Sequence, residues 1–185
     1  MTVRPYGTWP SSLDARTVAR AHGPRFADVF VDGARVRWSE SPADEGGRIV
    51  VVDSATGDLT PAGSNARTRV HEYGGGAVWY HGDTVFFSEF ADSRVYRVDD
   101  GNAVAITPEP AAEHALRYAD GVVSLDGATV VCVRERHEGG EVHNELVSFP
   151  ADGSAEPTTV QSGHDFYMAP RFDPAGERLA WLAWD

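Results

Sequence analysis

Four tight turns, each closed by a glycine, recur along the chain at Asp32-Gly33, His81-Gly82-Asp83, Asp126-Gly127 and Ala175-Gly176, with the glycines 49, 45 and 49 residues apart. A period of about 40 to 50 residues that holds several strands is the sequence mark of a propeller blade. Each turn lies between apolar segments, so it reads as the hairpin joining the first and second strands of a unit. The first strands are expected at Phe26 to Val31, Ala77 to Tyr80, Gly121 to Leu125 and Pro170 to Asp173, and the second at Arg35 to Glu40, Thr84 to Phe90, Thr129 to Arg136 and Arg178 to Trp184. A polar loop then leads to third strands at Arg48 to Asp53, Ser93 to Asp99 and Asn144 to Phe149. A further turn at Ala55-Thr56-Gly57, Asp100-Gly101 or Asp152-Gly153 opens a short fourth strand. Two of these end alike, in Leu59-Thr60-Pro61 and Ile106-Thr107-Pro108, where a proline suits an outer edge that needs no N–H.

Composition supports strands over helices. The 22 valines outnumber seven leucines and two isoleucines, and β-branched side chains favour a pleated, half-buried surface. Only the beginning reads as helical: Ser12 can cap Leu13 to Ala21, with Asp14 in the first turn and Gly23-Pro24 as a stop. The expected fold is therefore all-β, a partial β-propeller of about three and a half four-stranded blades with a short N-terminal helix. Residues 1–25 form a strap and 26–185 the first blades, truncated in blade four after Leu179-Ala180-Trp181-Leu182-Ala183-Trp184-Asp185. An open ring leaves sheet edges bare, so the chain is expected to be the front part of a longer protein, or to self-associate through its open blade edges.

Charge narrows the partners. Sixteen basic residues, all arginine and all scattered, against 28 acidic ones give a net charge of −12, which repels phosphate backbones and disfavours nucleic acid. No stretch is apolar enough for a membrane span or a secretory signal, so a cytoplasmic location is expected. The single cysteine, Cys132, sits in Val130-Val131-Cys132-Val133 and reads as a buried, unreactive thiol. The aromatics Trp38, Trp79, Phe86, Phe87, Trp181 and Trp184 read as packing between neighbouring blades.

In an up-and-down blade the connections entering the first strand share one face with those joining the second and third. That face carries the long segments Ala62 to Gly76, Glu109 to Asp120, Ser162 to Ala169, Ser41 to Gly47 and His137 to His143, where binding groups usually sit. His71, His114, His137, His143 and His164 fall there, with Glu72, Glu138, Glu141 and Asp165. No pair has a recognised metal-ligand spacing, so structural or solvated roles are favoured and no metal or cofactor is expected. The glycines of Arg67-Thr68-Arg69-Val70-His71-Glu72-Tyr73-Gly74-Gly75-Gly76 either let backbone approach a ligand or simply turn the chain from rim to axis. No Gly-x-Ser-x-Gly elbow, Walker loop or dinucleotide fingerprint occurs, so this chain alone lacks a hydrolytic nucleophile.

Tyr6-Gly7-Thr8-Trp9-Pro10-Ser11, the Arg67–Gly76 segment, Arg117-Tyr118-Ala119-Asp120-Gly121, and Ser162-Gly163-His164-Asp165-Phe166-Tyr167 with Pro170-Arg171 together resemble bacterial serine peptidases of the prolyl oligopeptidase family, in the aminopeptidase or acylaminoacyl-peptidase-like branch. The resemblance implies an N-terminal propeller, usually of seven blades, capping a C-terminal α/β-hydrolase domain with a Ser-Asp-His triad, and admitting small peptides or aminoacyl amides. This chain stops before such a domain, so no catalytic residue carries over. In exopeptidases of this kind a propeller carboxylate can hold the substrate ammonium group. Glu72 is the first candidate, with a salt bridge to Arg67 or Arg69 as its rival role. Arg69, His71, Tyr73, His164, Asp165 and Tyr167 complete the candidate substrate-binding set. The alternative is a free-standing interaction propeller. Gly163-His164 and Trp184-Asp185 mimic the ends of a WD repeat, but each occurs once.

Overall fold

The computed structural model describes residues 3–8, 10–20, 23–43 and 45–185. Trp9 of the first motif, Ala21 at the end of the predicted helix, and Asp44 in the Ser41 to Gly47 loop lie outside them. Helix α1 spans Ala15–Arg20, and the rest of the regular structure is β. Its cap falls later in the chain than expected. The Asp14 carboxylate, and not Ser12, accepts the Thr17 N–H at 2.6 Å, because only a side chain directly before the first helical residue reaches the free amides of the first turn. Among the described residues, no helix is long and apolar enough to cross a membrane.

Among the described residues, fourteen strands form four antiparallel sheets. The first holds β1 (Arg25–Asp32), β2 (Arg35–Ser41), β3 (Val50–Asp53) and β4 (Gly57–Asp58). The second holds β5 (Val78–His81), β6 (Thr84–Ser88), β7 (Val95–Asp99) and β8 (Asn102–Ala105). The third holds β9 (Leu116–Val123), β10 (Thr129–Glu138), β11 (Glu141–Pro150) and β12 (Thr158–Ser162). The fourth pairs β13 (Phe166–Phe172) with β14 (Leu179–Trp184). Strands are neighbours in chain order throughout, so each sheet is an up-and-down meander whose first two strands are joined by the glycine turn the repeat marks.

Burial explains how the sheets stack. Consecutive strand residues point to opposite faces, so a strand buried at every position must be covered on both sides. Val130, Val131, Cys132 and Val133 are all buried, as are Val50 to Asp53 and Val85 to Ser88. Val85 and Phe87 pack with Val51 of the first sheet, while Phe86 between them packs with Val130, Cys132, Val147 and Phe149 of the third. Val133 and Leu146 pack in turn on Tyr167 of the fourth. The first strands β1, β5, β9 and β13 all contribute to one cavity of about 300 Å³, lined among others by Phe30, Trp79, Gly121 and Arg171.

The paired Leu-Thr-Pro and Ile-Thr-Pro endings have one structural cause. Thr60 Oγ1 accepts the Val51 N–H at 3.2 Å and Thr107 Oγ1 accepts the Val95 N–H at 2.9 Å, so a buried threonine side chain extends the ladder where each fourth strand leaves it. Several expectations are corrected. His137 to His143 is not a loop, because β10 and β11 continue to a two-residue Gly139-Gly140 turn that pairs Arg136 with His143. Part of Glu109 to Asp120 likewise belongs to β9. Trp79, Phe86 and Phe87 are core, but Trp181 and Trp184 are exposed and Trp38 is only partly covered by neighbours of its own sheet; β1 and β14 are largely exposed, apart from Phe30 stacked on Tyr80 and Ala183 against the cluster of Val133 and Leu146.

Candidate functional site

The Arg67–Gly76 segment, which precedes β5, is bound to the start of β9 along its whole length. Thr68 Oγ1 donates to the Tyr118 carbonyl at 2.7 Å, and Arg117 Nη1 donates to the Arg69 carbonyl at 3.0 Å. The Gly76 N–H donates to Asp120 Oδ1 at 2.7 Å, and the Asp120 N–H returns a bond to the Gly76 carbonyl at 2.7 Å. A Cβ on Gly76 would lie 2.7 Å from that same carboxylate oxygen, so the close approach needs glycine there. Asp120 Oδ2 also accepts the Ala169 N–H of β13 at 3.2 Å. Two of the motifs that carry the family resemblance are therefore one contact surface, tied to a third.

The segment turns sharply at His71 and Glu72, whose φ angles are +55° and +65°. Non-glycine residues rarely hold this left-handed conformation, and an adjacent pair needs anchoring from outside. Glu135 on β10, with a side chain 3% exposed, supplies it. Its Oε2 accepts the His71 N–H at 2.7 Å, its Oε1 lies 3.0 Å from Arg117 Nη1, and His137 Nε2 stands 2.6 Å from Oε1. Arg117 Nη1 also reaches Glu72 Oε1 at 2.7 Å, and this guanidinium holds the Glu72 carboxyl below the usual carboxylate range. Glu72 thus pairs with Arg117, and not with Arg67 or Arg69, whose guanidiniums lie 4.8 and 3.6 Å from the Phe90 ring centroid.

Beside this cluster lies an apolar cavity of about 310 Å³, lined by Val70, His71, Tyr73, Gly74 to Gly76, Ala119, Asp120, Val133, Tyr167, Met168 and Trp184. Glu72, which lies in the chain between the lining residues His71 and Tyr73, has 78% of its side chain in solvent, and Tyr73 is exposed. Tyr167 is fully buried, and its hydroxyl accepts the His164 N–H at 3.2 Å. His164 and Asp165 face a different, polar cavity of about 630 Å³ with Arg136, His143 and Glu145. There His164 Nδ1 lies 3.1 Å from Asp185 Oδ1, and the Asp165 N–H with His164 pulls the Asp185 carboxyl down. The candidate set therefore divides: His71 and Tyr73 line the first cavity, Glu72 between them pairs with Arg117, His164 and Asp165 line the second cavity, Tyr167 joins the two, and Arg69 lies on Phe90.

One donor atom each from Glu72, Glu135 and His137 falls within 4.8 Å of the others, a spacing that could hold a metal ion. Arg117 already bridges both carboxylates, so a metal would have to displace a guanidinium. Glu135 is the residue that sequence reasoning missed. Its signal was present: strand periodicity puts it on the same face as Val131 and Val133, so a carboxylate there points into the protein.

Comparison with solved structures defines the class. The chain is related to peptidases of the prolyl oligopeptidase family, as its motifs imply. The particular relatives are a puromycin-hydrolysing peptidase of Mycobacterium tuberculosis, 36% identical with a TM-score of 0.88, and a puromycin hydrolase, 33% identical with a TM-score of 0.84. Each comparison covers all of this chain but only 31% of the other, so the chain spans about a third of the length of these relatives. No protein-family model matches the chain, and no curated protein matches it.

Proposed function

We propose that this chain is the N-terminal propeller portion of a serine exopeptidase, a non-catalytic wall that admits and orients small peptides or aminoacyl amides for an α/β-hydrolase domain of the same protein. The observation that carries the reading is the full-length likeness, at 36% identity, to 31% of a larger puromycin-hydrolysing peptidase. Three four-stranded meanders and a two-stranded one, stacked face to face with their first strands around one cavity, support blades set about an axis. Residues 1–25 then form a strap and 26–185 the blades.

In this reading Glu72 receives the substrate ammonium group. Its carboxylate is exposed, its chain neighbours His71 and Tyr73 line the apolar cavity, and Arg117 engages Oε1. With Glu72 and Glu135 against Arg117, the cluster keeps one net negative charge when both histidines are neutral, which suits a cation. Glu72→Gln in the full-length protein is expected to raise KM for free-amine aminoacyl anilides by about tenfold, the scale of one charge-assisted bond, and to leave Nα-blocked substrates nearly unchanged. Equal effects on both substrate types would reject the role.

A further inference from the structure

We infer that Glu135 is a positioning residue of this wall: a buried carboxylate on β10 that holds the left-handed corner at His71 and Glu72 and, through Arg117, sets where the Glu72 carboxylate stands. The corner's internal bonds, from the Glu72 N–H to the Arg69 carbonyl and from the Gly74 N–H to the Val70 carbonyl, both 2.9 Å, make the turn but leave the His71 N–H facing away from it. Among the described residues that donor finds only Glu135 Oε2, at 2.7 Å. A backbone amide without a partner in a protein interior is strongly disfavoured, so the carboxylate and the corner stabilise each other.

The second oxygen of Glu135 governs Arg117. A single guanidinium nitrogen touches Glu135 Oε1 at 3.0 Å, the Arg69 carbonyl at 3.0 Å and Glu72 Oε1 at 2.7 Å, so it ties the base of the corner to its tip. The groups facing Glu135 come from three elements: His71 from the segment before β5, with Nδ1 at 3.6 Å; Arg117 from β9; and His137 from β10 itself, at 2.6 Å. Glu135→Gln removes the charge and leaves one acceptor oxygen where two are used, so it cannot hold the His71 N–H and Arg117 together. The exposed Glu72 then loses a fixed direction even though its own carboxylate is intact. Orientation of a charged group ahead of binding is where such a residue acts, because the ordering is completed before substrate arrives.

The functional half of this inference rests on the ammonium role of Glu72, and the test separates the two. In the full-length protein, Glu135→Gln, Glu72→Gln and the double variant are compared on free-amine and Nα-blocked aminoacyl anilides, with amide hydrogen exchange of residues 69–76 read in parallel. The expected result is a rise in free-amine KM of about tenfold for each single variant, kcat on blocked substrate nearly unchanged, and a double variant no worse than Glu72→Gln alone. Exchange at His71 to Gly74 accelerates in Glu135→Gln while the amides of β6 and β10 keep their protection. Additive effects, or an unaltered free-amine KM in Glu135→Gln where Glu72→Gln raises it, overturn the inference and leave the reading of Glu72 standing. If Glu72→Gln shows no selectivity, the reading fails, and exchange alone decides: unchanged protection at His71 then overturns the anchoring role too. Should Glu135→Gln not fold, Arg117→Gln breaks the same bridge from its more accessible side, and the same comparison applies.

Discussion

Gly121 sits where β9 crosses the indole of Trp79, and a methyl group there has no room. An ideal Cβ would stand 2.1, 2.3 and 2.5 Å from Cε2, Cδ2 and Cζ2 of that ring, whereas ordinary contact begins at 3.4 Å. The obstacle is a rigid bicyclic ring and not the end of a flexible chain. Trp79 is 5% exposed and stacks parallel to Phe86, which is itself buried among Val95, Val130 and Cys132. To admit alanine, either the indole or the strand must move by about an ångström; the cavity that both line leaves room on one side, but the ring's other side is fixed by Phe86, so the shift breaks that stacking. Overpacking of this kind costs about 1–3 kcal/mol and sometimes more, and three overlaps against one ring place Gly121→Ala at about 3 kcal/mol or above. For a chain of this size that lowers Tm by about 6–12 °C. Thermal melting and urea unfolding, followed by far-UV circular dichroism, measure it. The explanation also predicts coupling: Trp79→Leu is costly alone, yet in its presence Gly121→Ala adds little, because the clashing ring is gone. A Gly121→Ala variant that melts within about 1 °C of the parent, or whose cost persists in full in the Trp79→Leu background, would refute the steric account.

Acid stability and thiol reactivity provide two further checks. Asp53, whose side chain is wholly buried in the first sheet, accepts the Ala55 N–H and pairs with Arg35 and Arg37, and these partners bring its carboxyl down to about 2. A depressed carboxyl lends stability that is present in full above its ordinary value near 3.8 and drains as pH falls toward 2, so Asp53→Asn should flatten the acid limb of the urea midpoint against pH; an unaltered slope would deny Asp53 that role. Burial pushes the Cys132 thiol up and closes it from solvent, so its reaction with a disulfide reagent at a mildly alkaline pH should follow unfolding, and rapid labelling of native protein would contradict the packing described.

Much of the architecture was legible in the sequence because it rests on local chemistry. The glycine turns near Gly33, Gly82, Gly127 and Gly176 require a left-handed backbone, and valine-rich runs between them require a pleated surface, so strand order and hairpins follow from neighbours in the chain. Boundaries slipped where partners came from farther away. β10 and β11 run on to Gly139-Gly140 through His137 and His143, because a pairing partner lies opposite each residue, whatever its polarity. The site was legible only in pieces. Its segment, its exposed glutamate and its glycines could be named, but the partner of Glu72 could not be chosen among arginines by nearness in sequence.

What the amino-acid order determined by itself is therefore the repeating unit: turn chemistry, strand patterning, the buried thiol, and the motifs that carry the peptidase likeness. Tertiary structure alone decided which charges meet. Glu72, Arg117 and Glu135 are separated by 45 and 18 residues and share a site because the sheets stack face to face, setting β9 and β10 beside the loop that enters β5. Local propensity acts over a few residues, whereas charge pairing acts through a few ångströms of space, and only packing converts one distance into the other.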